Sequence, residues 1–189
     1  MDDKLTSEEK QTLLRAARET LERGVRGQKL PNLDLESMSP RLRADGASFV
    51  TLTIRGNLRG CIGALEPYQS LFADVCEHAL AAALDDPRFP SVEPAELDQI
   101  EIEVSRLTVP ERLEYRDAED LLAKLRPHVD GVILRDGYRR ATFLPQVWDK
   151  IHDKAEFLDN LCYKMGTAPN TWRSKHLEVL TYQVEEFCE

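Results

Sequence analysis

The clearest period along the chain is two. Ser48-Phe-Val-Thr-Leu-Thr-Ile-Arg55 puts Val50, Leu52 and Ile54 on one face, and Gly56-Asn57 then tolerates positive φ before a second apolar run. The pattern predicts a hairpin, 48–55 with 58–65. Val132 to Arg135, Asp136-Gly137 and Tyr138 to Leu144 repeat the signal, with Asp-Gly suited to a type I′ turn. Ile100, Ile102 and Val104 alternate with Glu101, Glu103 and Ser105, which predicts a strand buried on one side and hydrated on the other. Leu180, Tyr182 and Val184 predict a final strand.

Other stretches follow the helical period. Thr6 and Glu9 form a capping pattern ahead of Leu14, Ala17 and Leu21, with Gly24 as the stop, so a helix is expected over about 6 to 23. Gly27 to Ala47, punctuated by Pro31 and Pro40, reads as an ordered loop or crossover. Ser70 caps a helix along Leu71, Val75, Ala79 and Ala82 that ends before Pro87. Asp117 begins a short helix with Leu121, Leu122 and Leu125, and Asp153 with Glu156 begins another along Phe157, Leu161 and Met165, stopped by Gly166. Hairpins and helices without regular β-α-β alternation predict an α+β fold, a mainly antiparallel sheet flanked by helices. Its core should include Val50, Leu52, Ile54, Ile102, Val104, Leu161, Leu180 and Tyr182.

A chain of 189 residues, 42% of them hydrophobic, buries a core as one globular domain over 1–189 or as two intertwined subdomains. The longest uncharged apolar stretch, Ala79 to Leu84, is far short of the ~20 residues that span a bilayer. The polar start MDDKLTSEEK differs from a secretory signal, and Cys61, Cys76, Cys162 and Cys188 are widely spaced. A cytoplasmic protein with reduced thiols is expected. The net charge of −9 opposes nonspecific binding to nucleic-acid backbones.

The segment richest in chemistry is Leu58-Arg-Gly-Cys-Ile-Gly63. On a strand, Arg59, Cys61 and Gly63 would share a face, a guanidinium beside a thiol would favour thiolate, and Gly60 and Gly63 would let a ligand or another backbone approach. Packing explains the same residues: most buried cysteines are unreactive, glycines relieve crowding where sheets bend, and Arg59 could pair with an internal acid. Arg88, held between Pro87 and Pro90, either presents a cation to an anionic ligand or pairs with Asp85 or Asp86 in a rigid connector.

The four histidines show no metal-binding spacing, so no metal site is expected, although any one could meet Cys61 in space. Trp148, Trp172 and Tyr163 read as core or edge aromatics, and Lys164 diverges from Cys162 on a helix. No nucleotide-binding glycine loop is present, and no cofactor is evident. Arg135, Arg139 and Arg140 concentrate charge at the second hairpin turn, as a solvated turn or an RNA contact.

Leu58 to Gly63 resembles the hallmark run of the AMMECR domain family. Asp86-Pro-Arg-Phe-Pro90, Glu101 to Leu107 with Pro110, Gly131 through Leu144-Pro-Gln-Val147, and Phe157-Leu158 with Leu161-Cys162 and Lys164 are similar to the same family in the same order. The resemblance implies a larger α+β part built from both chain ends, a smaller β-containing part inserted in it, and a cleft between them near the hallmark run. It also implies grouping with a Memo-like protein and a radical S-adenosylmethionine enzyme, as the A protein of the AmmeMemoRadiSam system.

Three functions are compatible with these features. In the first, an enzyme or enzyme component uses Cys61 as the catalytic residue, with Arg59, Gly60, Gly63 and Arg88 binding a small anionic ligand. The second is a noncatalytic adapter for a Memo-like or radical S-adenosylmethionine protein. The third is an RNA-binding or RNA-modification accessory module, ranked last.

Overall fold

In a computed structural model, which describes residues 4–32 and 34–189, the chain forms two compact units, Met1–Thr108 with Glu185–Glu189, and Val109–Val184. The start of the segment read as non-secretory, residues 1–3, lies outside the described residues. The first unit carries helices α1 (Ser7–Val25) and α2 (Pro40–Arg43), strands β1 (Asp45–Ile54), β2 (Asn57–Gly63) and β3 (Gln69–Ser70), helix α3 (Leu71–Leu84) and strand β4 (Ile100–Leu107). The second carries β5 (Glu111–Arg112), α4 (Ala118–Lys124), β6 (Gly131–Asp136), β7 (Arg139–Phe143), α5 (Lys154–Lys164), α6 (Thr171–Ser174) and β8 (Glu178–Tyr182). A last strand, β9 (Val184–Cys188), returns to the first sheet beside β4. The larger unit is therefore built from both chain ends. No helix among the described residues is long and apolar enough to cross a membrane.

The strands form two sheets, ordered β2-β1-β4-β9 with β3 also on β1, and β5-β8-β6-β7. β1 pairs antiparallel with β2 and β4, and β6 pairs antiparallel with β7 and β8, so the fold is α+β.

Local chemistry sets the helix ends. Thr6 accepts a bond from the Glu9 N–H while Glu9 bonds back to the Thr6 N–H, the expected capping box. The stop is Gly27 rather than Gly24. Gln28 N–H reaches Arg23 C=O and Gly27 N–H reaches Gly24 C=O, with Gly27 at φ +64, because a left-handed residue must follow the last turn. Gly24 instead sits where α1 meets α3, since a Cβ there would lie 2.1 Å from Leu80 Cδ1. Ser70, Asp117 and Asp153 each cap a helix as expected, and Gly166 closes α5 at φ +80. The stretch read as a loop ahead of Ser48 holds a 3-10 turn (Leu35–Ser37), the Ser39-capped α2 and the start of β1.

The two hairpin turns differ from expectation in opposite ways. In the first, the residues at positive φ are Arg55 (φ +52) and Gly56 (φ +75), a type I′ pair in which an arginine occupies the left-handed region. In the second, Asp136 pairs with Arg139, and only Gly137 (φ +62) of the connecting Gly137-Tyr138 has positive φ, which fits type II′.

Each unit encloses its own core. Val50, Leu52, Ile102 and Val104 are fully buried against α1 and α3 residues such as Leu13, Leu21, Val75 and Ala79. Leu161 belongs to the second core, where Trp148 and Phe157 stack at 3.6 Å, and Tyr182 is buried too. Ile54, at the end of β1, and Leu180 are only partly buried. The inner face of β8 carries Val179 in place of Leu180. Val184 does not continue that strand, because the chain leaves β8 at Tyr182 and starts β9 in the other sheet. Glu101 and Glu103 are exposed as expected, whereas Ser105 is buried.

Arg55 is the strained turn residue. Arg55→Asn should raise stability by about 1 kcal/mol, since asparagine tolerates the left-handed region at lower steric cost. Denaturant unfolding of the two proteins measures the difference.

Candidate functional site

The hallmark run lies on β2, an edge strand of the first sheet. Leu52 pairs with Gly60 but Thr53 pairs with Leu58, so Arg59 is the extra residue of a β-bulge. The strict alternation assumed for Arg59 and Cys61 is thus interrupted between them. A Cβ on Gly60 would lie 2.0 Å from the Ala82 carbonyl oxygen, so β2 rests directly on α3 at that point. Cys61, opposite Thr51, faces away from α3, and the Thr51 hydroxyl donates to its Sγ at 3.3 Å.

The backbone of Cys61 is held on its outer side. Because Thr51 and Cys61 form a non-hydrogen-bonded pair, the Cys61 N–H and C=O point off the sheet edge. The Asp86 carboxylate accepts the N–H at 2.8 Å, and Arg88 Nη2 donates to the C=O at 3.1 Å. Arg88 also grips Asp86 through Nε at 2.9 Å and Nη2 at 2.7 Å. An Asp-Arg fork thus stands where a neighbouring strand would pair. Bonds from Arg88, joined by the Cys61 N–H, hold the Asp86 carboxyl far below the usual carboxylate range, although burial works the other way.

Arg59 is paired as fully. Its Nε and Nη2 meet the two oxygens of Glu96 at 2.7 and 3.0 Å, and Nη1 donates to the Pro90 carbonyl at 2.9 Å. The fork from Arg59 lowers the Glu96 carboxyl pKa. Glu96 also accepts the Glu93 N–H, which fixes the turn that leads into β4. The structure therefore gathers Arg59, Gly60, Cys61, Gly63 and Arg88 around one edge, with each cation matched by a carboxylate. Asp86 had been one of two candidate partners for Arg88. Glu96 lies 37 residues from Arg59 in sequence, and no spacing signalled it. Thr51 and Phe49 were visible only as strand positions.

Glu103, opposite Thr51 in β4, continues the Cys61–Thr51 row across the sheet, its carboxyl pKa raised by partial burial and by Glu186. His78, on α3, is a core histidine with Nδ1 3.2 Å from Asp74, which also accepts the Ser48 hydroxyl at 2.6 Å. It lies on the side of the sheet opposite the Cys61 thiol. Among the described residues no group of three His, Cys, Asp or Glu side chains is placed to hold a metal ion. A surface cavity of about 390 Å³ runs along α1 beside Gln11, Arg18 and Glu189, and no hallmark residue lines it. In the second unit, Arg135 approaches Glu178 at 3.9 Å, and Arg139 lies over the exposed Tyr138 ring.

Asp86→Asn should cost about 2 kcal/mol at neutral pH, because the buried clamp loses its charge-assisted bonds. A carboxyl pKa depressed by folding contributes stability above its unfolded value of about 3.9 and loses it as pH falls toward the folded value. The gap between the two proteins should therefore begin to narrow below about pH 4 and keep narrowing as the pH falls. Urea unfolding from pH 7 down to pH 3 reads it directly. Gly60→Ala should cost about 3 kcal/mol, because the strand must lift from α3, and the same unfolding curves measure it.

The AMMECR1 family model matches residues 14–187. A protein of Methanothermobacter thermautotrophicus is 42% identical over 189 residues, covering 98% of this chain and 96% of that one. One from Thermofilum pendens is 37% identical over 197 residues, covering 98% and 92%. Among solved structures, the uncharacterized protein PH0010 of Pyrococcus horikoshii superposes with a TM-score of 0.79 at 33% identity, over 98% of this chain and 93% of that one. Fold, motif and relatives agree, and the chain belongs to the AMMECR1 family.

Proposed function

We propose that the protein is an enzyme or enzyme component whose reacting group is the Cys61 thiol. One observation carries this reading. Asp86 and Arg88 fix the Cys61 backbone at both its N–H and its C=O, while its half-buried side chain meets the Thr51 hydroxyl and the Arg88 guanidinium. Such anchoring is how a reacting side chain is held in place. The Arg88 side chain is 54% exposed and interacts with the Cys61 side chain, so it can meet a small anion beside the thiol. Arg59, Gly60 and Gly63 then shape the site. The family grouping supports action in the cytoplasm with a Memo-like protein and a radical S-adenosylmethionine enzyme, as the A protein of the AmmeMemoRadiSam system.

The adapter reading draws on a different observation. Arg59 is used up by Glu96 and Pro90, and Gly60 by contact with Ala82, so much of the hallmark run also serves packing. RNA binding rests on Arg135, Arg139 and Arg140 around the exposed Tyr138.

Iodoacetamide labelling separates the readings. In a Cys188→Ser background, which removes the exposed thiol, the half-buried Cys61 should alkylate in the folded protein at neutral pH. Cys61→Ser should keep the fold while abolishing turnover supported by the partner proteins. A Cys61 that stays unlabelled until the protein unfolds would leave the adapter reading. Affinity capture from the native cell, with crosslinking, should recover the Memo-like or radical S-adenosylmethionine protein.

A further inference from the structure

Hydrogen-bond parity along β2 extends past Cys61. The outward-facing pair at Cys61 makes Val50 and Ile62 the bonded pair, and makes Phe49 and Gly63 a second outward-facing one. The bond from Ala64 N–H to Ser48 C=O confirms this phase one residue on. The Gly63 N–H and C=O therefore also point off the sheet edge, and neither has a partner among the described residues. At Cys61 the same two groups are filled by Asp86 and Arg88.

The opening is one residue wide. On one side stands the Asp-Arg fork. On the other the chain leaves the sheet after Ala64 and returns only at β3, where Gln69 and Ser70 pair with Gly46 and Asp45. The Phe49 ring covers the α-carbon of Gly63, where a Cβ would lie 2.4 Å from the ring and from the Ser48 carbonyl oxygen. Gly63 also falls on the Cys61 side of the strand, two residues along.

We propose that Gly63 is a docking position for one residue of an extended peptide. The peptide residue's N–H donates to Gly63 C=O and its C=O accepts from Gly63 N–H, the exchange that one residue of a neighbouring strand makes. A free edge donor beside a free edge acceptor matches the secondary amides of a peptide backbone, and the fork at Cys61 already places a donor and an acceptor in that geometry. A longer added strand is blocked on both sides. The inference deepens the Cys61 reading by naming a peptide as the substrate class, while the two bonds themselves need no thiol chemistry.

The test is nuclear magnetic resonance on the uniformly ¹⁵N-labelled chain. In the free protein the Gly63 amide should exchange with solvent at least tenfold faster than those of Ile62 and Ala64, which bond to β1. Acetyl-valine-N-methylamide should shift the Gly63 amide saturably at millimolar concentration. The analogue methylated on the valine nitrogen, which lacks the donor, should not. The shift should persist in Cys61→Ser, so loss of thiol reactivity and loss of docking are read separately. Gly63 protection equal to that of Ile62, or equal shifts with both compounds, overturns the proposal. Because the ligand rather than the protein is altered, the test does not depend on whether Gly63→Ala folds.

Discussion

The fork between Asp86, Arg88 and the backbone of Cys61 is the interaction on which the hallmark strand depends. An edge strand exposes unpaired N–H and C=O groups that recruit other strands or leave the edge loose. Here one exposed pair is closed by side chains from the loop that follows α3, the helix on which β2 already rests through Gly60 and Ala82. Strand, helix and loop thus form a closed circuit of contacts. Asp86 is 4% exposed, so its charge is sustained only by the guanidinium and N–H groups aimed at it. Removing any one of these leaves the others holding a buried carboxylate.

This circuit accounts for why the run Leu58 to Gly63 and the run Asp86 to Pro90 occur together. Gly60 is required because the α3 backbone occupies the space of a side chain, and Gly63 because Phe49 does. Arg59 fastens the same loop from its far end through the Pro90 carbonyl, and its bond to Glu96 carries the restraint to the turn that starts β4. Proline on either side of Arg88 keeps the connector short and stiff. The bulge at Arg59 adds local twist, letting its guanidinium leave the strand toward Glu96.

Much of the fold was legible because it is local. Capping at Thr6, Ser70, Asp117 and Asp153 depends on residues within one turn, and the alternation at Val50–Ile54 and Ile100–Val104 repeats over enough positions to stand above noise. What escaped was set by register and tertiary contact. Which residues turn a hairpin depends on how the strands pair, and Arg55 carries positive φ because pairing of Ile54 with Asn57 leaves it no alternative. Leu180 and Val179 are equally apolar, so the buried one is chosen by the sheet rather than by the sequence. The structure brings Arg59, Gly60, Cys61, Gly63 and Arg88 to one edge, but the bulge at Arg59 breaks the alternation expected between it and Cys61, and its acid comes from a turn whose approach no periodicity encodes.

The charges at this edge also bear on what it can recognise. Displacing Glu96 from Arg59 would leave a carboxylate without its fork, and displacing Asp86 would strand a buried one, each a loss that a small anion must outweigh. Arg59 has no donor left to offer that is not already engaged with Glu96 or Pro90, apart from second hydrogens on its terminal nitrogens. Arg88 is different, since its side chain is 54% exposed and can take an anion without surrendering Asp86. Electrostatic selection is therefore weak at Arg59 and confined to one group at Arg88. The remaining recognition chemistry on this edge is the neutral donor and acceptor of Gly63, beside a thiol whose backbone is already fixed.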